Sequence, residues 1–225
     1  MFPPPLKKLA RPEMSSEVYP VTTGRLVVFV KSPRPGFVKT RLASTLGDAA
    51  ACDAYRQLMG TVLRNVSGFS SVEVRFTPDD ARTEISQWLQ PAWTAKGQGD
   101  GDLGVRLHRA FAENFAERDS PVVVIGSDCP SVTPADIEAA WLSLATHDVV
   151  LGPAEDGGYW LIGLRQRRPQ LFQNIPWSTD TVLAETQQRA RTSGLSVAQL
   201  RTLADVDSSD DWSRFQKERS GQFPS

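Results

Sequence analysis

LVVFVKSPRPGFVKTRL, Leu26–Leu42, and PVVVIGSDCP, Pro121–Pro130, are the two stretches whose reading decides the fold. Each opens on a short, uninterrupted run rich in β-branched residues, Leu26–Val30 and Pro121–Gly126, as strands buried on both faces of a parallel sheet do. Each run then ends in a turn. A third run, DVVLG at Asp148–Gly152, and a weaker alternating one, VEVRF at Val72–Phe76, are separated from these by helical spacing at Ala49–Val66, Leu103–Ala116 and Pro134–Leu144. Pro134 stands just inside a helix start and follows Thr133, a residue type suited to the N-cap. This order predicts an α/β domain with a mostly parallel central sheet flanked by helices. Ligands of such sheets bind beyond the carboxyl ends of the strands, so the segments after Val30, Ile125 and Leu151 are the ones to search.

The chain has 225 residues, 40% of them hydrophobic, which suits one domain with a self-sufficient core. Lys plus Arg is 25 and Asp plus Glu is 26, a net charge of −1, so no global positive field draws it to nucleic acid or to an anionic membrane. Two cysteines, Cys52 and Cys129, are too few for a disulfide scaffold or a four-thiolate metal site, and a cytoplasmic location is expected. Five of the sixteen prolines fall in residues 1–24, which read as a disordered leader without the apolar run of a signal peptide or membrane span. The expected domain is 25–219, followed by a tail at 220–225.

The loop after the first strand, Lys31–Leu42, carries Lys31, Arg34, Lys39 and Arg41 with Gly36 and two prolines. Glycine lets backbone approach a ligand, the prolines limit the entropy lost on ordering, and the cations suit phosphate. The alternative is a solvated basic turn. Val38 stands where a Walker A loop needs glycine before Lys39–Thr40, so a P-loop is excluded. GDGDLG at Gly99–Gly104 matches the dinucleotide fingerprint, but Asp100 and Asp102 would oppose a pyrophosphate there. Asp102 and Arg106 are instead candidates for holding a base or sugar, with helix capping as the other reading of Asp102.

After the second strand, Asp128 is placed to hold a hard cation, which needs only one or two protein carboxylates when substrate phosphate supplies the rest. A turn before Pro130 is the plain alternative. Cys129 reads as a small buried neighbour of Asp128, since no His or Lys adjoins it to lower its pKa. GPAEDGGYWLIGL, Gly152–Leu164, brings Glu155 and Asp156 to the same sheet edge with Gly157, Gly158 and Tyr159, and Asp156–Gly157 is equally a hairpin signal. Asp205 and Asp207 offer further metal ligands before a helix that Ser208 or Ser209 could cap. His108 and His147 belong to none of these groups.

FVKSPRPGFVKTRLASTLG, QGDGDLGVR, VIGSDCP, VVLGPAEDGGYWLIGL, FQNIPWST and LADVDSSDDW, in that order from about Leu26 to Trp212, resemble the successive motifs of a nucleotide-diphospho-sugar transferase family, members of which are commonly labelled radical-SAM-associated glycosyltransferases. The resemblance implies a single-domain GT-A type fold and a glycosyltransferase that moves a sugar from a nucleoside-diphosphate sugar to an acceptor with Mg2+ or Mn2+. It implies that Lys31, Lys39 and Arg41 hold nucleotide phosphates, that Asp128 holds the metal, and that Asp156 to Tyr159 face the sugar or acceptor. Asp156 is the candidate catalytic residue, and Asp207 the second metal ligand. Two positions depart from the family pattern: Phe37 replaces a basic or polar residue, and DSSDD replaces an acidic-threonine-proline sequence. A nucleotidyltransferase using an NTP and a phosphorylated acceptor, and a non-catalytic nucleotide-binding module, are the other readings. The absence of cations in the Asp156–Tyr159 segment favours sugar transfer, because attack by a phosphate monoester needs them.

Overall fold

The computed structural model describes residues 24–221. The leader and tail expected from the sequence fall outside them apart from Gly24, Ser220 and Gly221. The strands are β1 (Arg25–Lys31), β2 (Val72–Thr77), β3 (Thr94–Gly97), β4 (Val122–Ile125), β5 (Val149–Pro153), β6 (Tyr159–Leu164) and β7 (Val197–Gln199). The helices are α1 (Thr40–Leu46), α2 (Asp48–Asn65), α3 (Arg82–Ile85), α4 (Leu103–Glu117), α5 (Pro134–Leu144), α6 (Val182–Thr192) and α7 (Ser209–Ser220). All seven strands form one sheet in the order β3-β2-β1-β4-β6-β5-β7, parallel throughout except for β6. The expected α/β fold with a mostly parallel sheet flanked by helices is therefore the observed one.

Both faces of the sheet are covered, which is why its central strands read as unbroken apolar runs rather than alternating ones. On one face, Leu26, Val28 and Val30 pack with Tyr55, Met59 and Val62 of α2 and with Ile137, Trp141 and Leu144 of α5. On the other, Val27, Phe29, Val122 and Val124 meet Leu107 and Phe111 of α4 and Ala190 of α6. A third cluster joins Leu42 of α1, Leu58 of α2, Val206, and Trp212 and Phe215 of α7. Through it the last helix is fixed to the back of α2, and the acidic segment before it is carried to the sheet edge.

The topology sets where a ligand can sit. From β1 the chain works outward through β2 to β3, then returns to place β4 on the other side of β1. The connections after β1 and β4 leave in opposite directions, so a crevice opens between their carboxyl ends. Buried Tyr55 of α2 holds both lips of it: its hydroxyl accepts from the Lys31 amide at 2.8 Å and lies 2.8 Å from Ser127 Oγ. Gln98, beyond β3, donates to the carbonyls of Val30 and Arg75, both at 3.0 Å, and so anchors the third strand's loop to the ends of the first two.

Thr133 and Asp136 form a capping box at the start of α5, with Pro134 in the first turn. Asp136 also takes the Arg201 guanidinium, Nε to Oδ1 at 2.7 Å and Nη2 to Oδ2 at 2.7 Å, which ties the helix start to the strand leading into the acidic segment. Burial raises the Asp136 carboxyl and the bonds from Arg201 and Thr133 outweigh it, leaving the pKa below the ordinary carboxylate value. A depressed folded-state pKa means that this stabilisation is present above the unfolded pKa of about 3.9 and is lost as pH falls below it. Asp136→Ala should therefore cost about 1–3 kcal/mol at neutral pH. The difference from the parent, read from urea unfolding, should shrink between pH 4 and the acid limit.

Candidate active site

A cavity of about 680 Å3 opens at the β1/β4 crevice, and a smaller one of about 180 Å3 adjoins it through Lys31, Arg41, Asp128 and Asp207, which line both. The large cavity is bounded by the ends of β1 and β4, the first turns of α4, the β5–β6 turn, the segment Trp177–Val182 and the acidic segment at Asp205 and Asp207. Of the residues expected from the sequence, Lys31, Arg41, Arg106, Asp128, Asp156, Gly158, Tyr159 and Asp207 line it together. Lys39 lines the smaller space.

The centre of the arrangement is an ion cluster. Lys39 Nζ lies 2.5 Å from Asp128 Oδ1 and 2.7 Å from Asp207 Oδ1, on a side chain only 4% exposed. Arg41 Nη1 stands 3.7 Å from Asp207 Oδ2 and is largely in solvent. Burial lowers the Lys39 ammonium, but Asp128 and Asp207 outweigh it and leave its pKa raised. Burial raises Asp207, and Lys39 and then Arg41 pull it below its ordinary value. Asp205 is less well compensated: burial, then Asp207 and Asp156, outweigh Lys39 and push it up to about 6. One side of the site thus carries an excess of negative charge.

These residues fit a hard dication by their chemistry. Among the described residues no three His, Cys, Asp or Glu side chains converge as a ligand set. Asp128 and Asp207 do converge, on one ammonium, and a pair of carboxylates suits an ion that takes its other ligands from phosphate and water.

The acidic segment reaches this place by backbone bonding. Val206 N donates to Asp128 O at 3.1 Å, Leu203 N to Pro153 O at 3.0 Å, and Glu155 N to Leu203 O at 3.1 Å. The stretch 203–206 is thereby stitched to the ends of β4 and β5. Ser208 caps α7 in a capping box with Asp211, so the DSSDD sequence provides a helix start while Asp207, just before it, faces the cluster.

Five of the expected residues lie elsewhere or point elsewhere. Arg34 turns away to Asp80 and Glu84, at 3.0 and 2.6 Å, where its bonds and that from Ser32 hold the Glu84 carboxyl down at about 2; it is engaged in fixing the loop to α3 and not in facing the cavity. Gly36, at φ 79°, forms the exposed tip of the same loop beside Phe37, which is 76% exposed. The Asp102 side chain accepts from Val105 N at 2.9 Å and caps α4, so its capping reading describes what the carboxylate does here. Glu155 is exposed outside the cavity lining. Gly157, at φ 85°, packs against the backbone of Asp180 behind the wall. GPAEDGG is a hairpin turn between antiparallel β5 and β6, and it also delivers Asp156 and Gly158 to the cavity, so both of its readings describe the same loop.

Several lining residues had no place in the expected set. Trp177, Thr179 and Asp180 come from FQNIPWST and the residue after it, where the irregular stretch offers no periodicity to read. Trp177 lies over Gly104, whose lack of a Cβ is what allows the indole to approach α4. Gln98 could have been suspected as a polar residue directly after a strand. Burial and Asp128 raise the Cys129 thiol well above its ordinary value, in keeping with a buried neighbour and not a nucleophile.

A contrast of two glycines tests the wall. A methyl at Gly157 would overlap the Asp180 carbonyl on a positive-φ backbone, whereas one at Gly126 would meet nothing within 4 Å. Gly157→Ala should lower the melting temperature by the equivalent of about 1–3 kcal/mol, and Gly126→Ala should change it by less than about 0.5 kcal/mol.

Comparison with known proteins places this geometry. A provisionally named nucleotide-diphospho-sugar transferase from Desulfovibrio desulfuricans G20 superposes with a TM-score of 0.81 at 31% identity, over 88% of this chain and 87% of that one. Molybdopterin-guanine dinucleotide biosynthesis protein A from Archaeoglobus fulgidus shares the fold at a TM-score of 0.54 and 15% identity, over 88% and 100% of the two chains. A cytidylyltransferase from Leptospira borgpetersenii serovar Hardjo-bovis does so at 0.57 and 11%, over 89% and 87%. No curated protein matches the sequence. The model of the family described as "Uncharacterized protein conserved in bacteria (DUF2064)" matches residues 63–179, and with the close likeness to the Desulfovibrio protein this shows that the chain belongs to that family.

Proposed function

We propose that this chain is a glycosyltransferase that moves a sugar from a nucleoside-diphosphate sugar to a hydroxyl of an acceptor, with Mg2+ or Mn2+ held by Asp128 and Asp207. The observation that carries this reading is the division of the cavity lining. Its cations, Lys31, Arg41 and Arg106, come from the β1 loop and α4, whereas the wall from Ala154 to Val182 contributes Asp156, Tyr159, Trp177, Thr179 and Asp180 and no Lys or Arg. An attacking phosphate needs cations beside it; an attacking hydroxyl needs a base and room. Phe29, Leu107, Val124, Ile162 and Val182 give the same region an apolar floor, which suits a sugar face or an acceptor with an apolar group. The Desulfovibrio protein's name, nucleotide-diphospho-sugar transferase, points the same way.

In this reading Lys31, Arg41 and Lys39 hold the diphosphate, and Arg106 meets the nucleoside end. The dication, when bound, neutralises the departing nucleoside diphosphate. Asp156, its Oδ1 accepting from Gly158 N at 2.9 Å, takes the proton of the acceptor hydroxyl as the new glycosidic bond forms and the sugar–phosphate bond breaks. No helix among the described residues is long and apolar enough to cross a membrane.

A thermal-shift panel of sugar nucleotides, nucleoside diphosphates and NTPs with Mn2+ tests the reading, since a ligand of the native state raises its melting temperature. One sugar nucleotide should give the largest shift, and Asp128→Asn should abolish its metal dependence. Asp156→Asn should bind normally and lose about 10²–10⁴-fold in turnover, the usual contribution of a general base. Turnover of an NTP with a phosphorylated acceptor, and none of any sugar nucleotide, would replace this function by nucleotidyl transfer. Binding without turnover of either would make the protein a binding module.

A further inference from the structure

Lys39 is built into the site in a way that a residue serving only a phosphate would not be. A phosphate-binding lysine ordinarily waits as a solvated, flexible ammonium. Here the side chain is 4% exposed, and its Nζ sits between the Oδ1 atoms of Asp128 and Asp207, at 2.5 and 2.7 Å. The backbone is committed as well: Lys39 has φ 49° and ψ 48°, left-handed values uncommon for a residue with a Cβ, at the cap of α1. Its neighbours in the smaller cavity are Val38, Thr40, Tyr55, Lys31 and Arg41, so the ammonium has a short path towards the larger cavity's cationic wall. Two carboxylates from distant parts of the chain would repel at this separation without a shared positive charge.

We propose that Lys39 is a seat-holding cation: its ammonium occupies the place between Asp128 and Asp207 while the site is free, and moves to the substrate phosphates when a divalent ion takes the two carboxylates. The two events are then linked. An ion arriving alone has to displace the ammonium with nothing to receive it, so it binds weakly. An ion arriving with a diphosphate gives the ammonium a new anionic partner, so ion and phosphate reinforce each other. By reciprocity the phosphate gains from the ion by the same factor. A protein built this way holds little metal between turnovers and closes its ion cluster only around a complete metal–diphosphate pair. The inference rests on the metal-assisted reading given above, and it adds what occupies the seat beforehand.

Calorimetric titration of the full chain with Mn2+ alone, and with Mn2+ in the presence of inorganic pyrophosphate, reads both halves. Lys39→Met removes the charge but keeps the length, and it should bind Mn2+ alone at least tenfold more tightly than the parent. The factor by which pyrophosphate tightens Mn2+ binding should fall at least fivefold in the same variant, a comparison in which complexation in solution cancels. Lys39→Arg, which retains a cation between the carboxylates, should show no gain for Mn2+ alone. Arg41→Met removes a charge 3.7 Å from Asp207 that is not shared with Asp128, and it should gain less than threefold. Lys39→Gln repeats the measurement if the methionine variant does not give a folded protein, as judged by its melting curve. Mn2+ binding no tighter in either charge-removing variant, or an equal gain in Arg41→Met, overturns the seat-holding role and leaves the metal-assisted reading standing. No Mn2+ binding by the parent, with or without pyrophosphate, overturns both.

Discussion

The reversal of strand order beside β1 is the constraint from which the site follows. Because β2 lies on one side of β1 and β4 on the other, the loops at Lys31 and Gly126 diverge, and no connection can cover the gap between them. What keeps the gap a defined crevice is a small set of buried polar bonds. The Tyr55 hydroxyl links the Lys31 amide to Ser127, and the Gln98 amide links the ends of three strands. Buried groups of this kind are costly to leave unpaired, so each bond fixes backbone position as well as satisfying a donor. The apolar packing of α2 and α5 on one face, and of α4 and α6 on the other, makes the sheet rigid enough for those bonds to matter.

The chemistry of the crevice is assembled from opposite ends of the chain. Lys31, Lys39 and Arg41 arrive from the first connection, Asp128 from the middle, and Asp205 and Asp207 from a segment near the C-terminal helix, with Asp207 168 residues beyond Lys39. That last segment is held by backbone bonds to Asp128 and Pro153 and by the packing of Val206, Trp212 and Phe215 against Leu42 and Leu58. A site gathered in this way concentrates carboxylates where burial strengthens their repulsion. The ammonium of Lys39 offsets it at Asp128 and Asp207, whereas at Asp205 burial and the neighbouring carboxylates outweigh Lys39 and raise the pKa. Perturbed titratable groups gathered at one crevice mark it as a candidate functional site.

Much of this was legible in the sequence because buried parallel strands leave unbroken apolar runs. β1, β2, β4 and β5, and helices α2, α4 and α5, stand within a residue or two of where their periodicity places them. β3, TAKG, and β7, VAQ, are too short and too polar to announce themselves, and they sit at the two edges of the sheet, where tertiary pairing decides. β6 reads as an apolar run, YWLIGL, but its antiparallel direction depends on the turn before it. In the crevice, strand-end position brings Lys31, Asp128 and Asp156 to the cavity lining, since it fixes the direction in which those residues leave the sheet. Arg34 and Asp102, whose types suit a ligand equally well, are taken by nearer partners, Glu84 and the Val105 amide. FQNIPWST carries part of the family resemblance, but an irregular segment has no period from which a role for Trp177 could be read, and its place over Gly104 is a tertiary contact.

In the function proposed above, a dication and a diphosphate share the β1/β4 crevice, with Asp128 and Asp207 on the ion. A crystal of the protein grown with Mn2+ and a nucleoside diphosphate, measured for anomalous scattering at the manganese edge, tests it most directly. One strong peak is expected between the two carboxylates, roughly 2.0–2.3 Å from an oxygen of each as hard-cation ligation requires. The diphosphate should lie against Lys31 and Arg41, with the Lys39 ammonium drawn to it. A diphosphate bound elsewhere, or a manganese peak away from Asp128 with Lys39 still bridging it to Asp207, would rule out a shared metal–diphosphate site in this crevice.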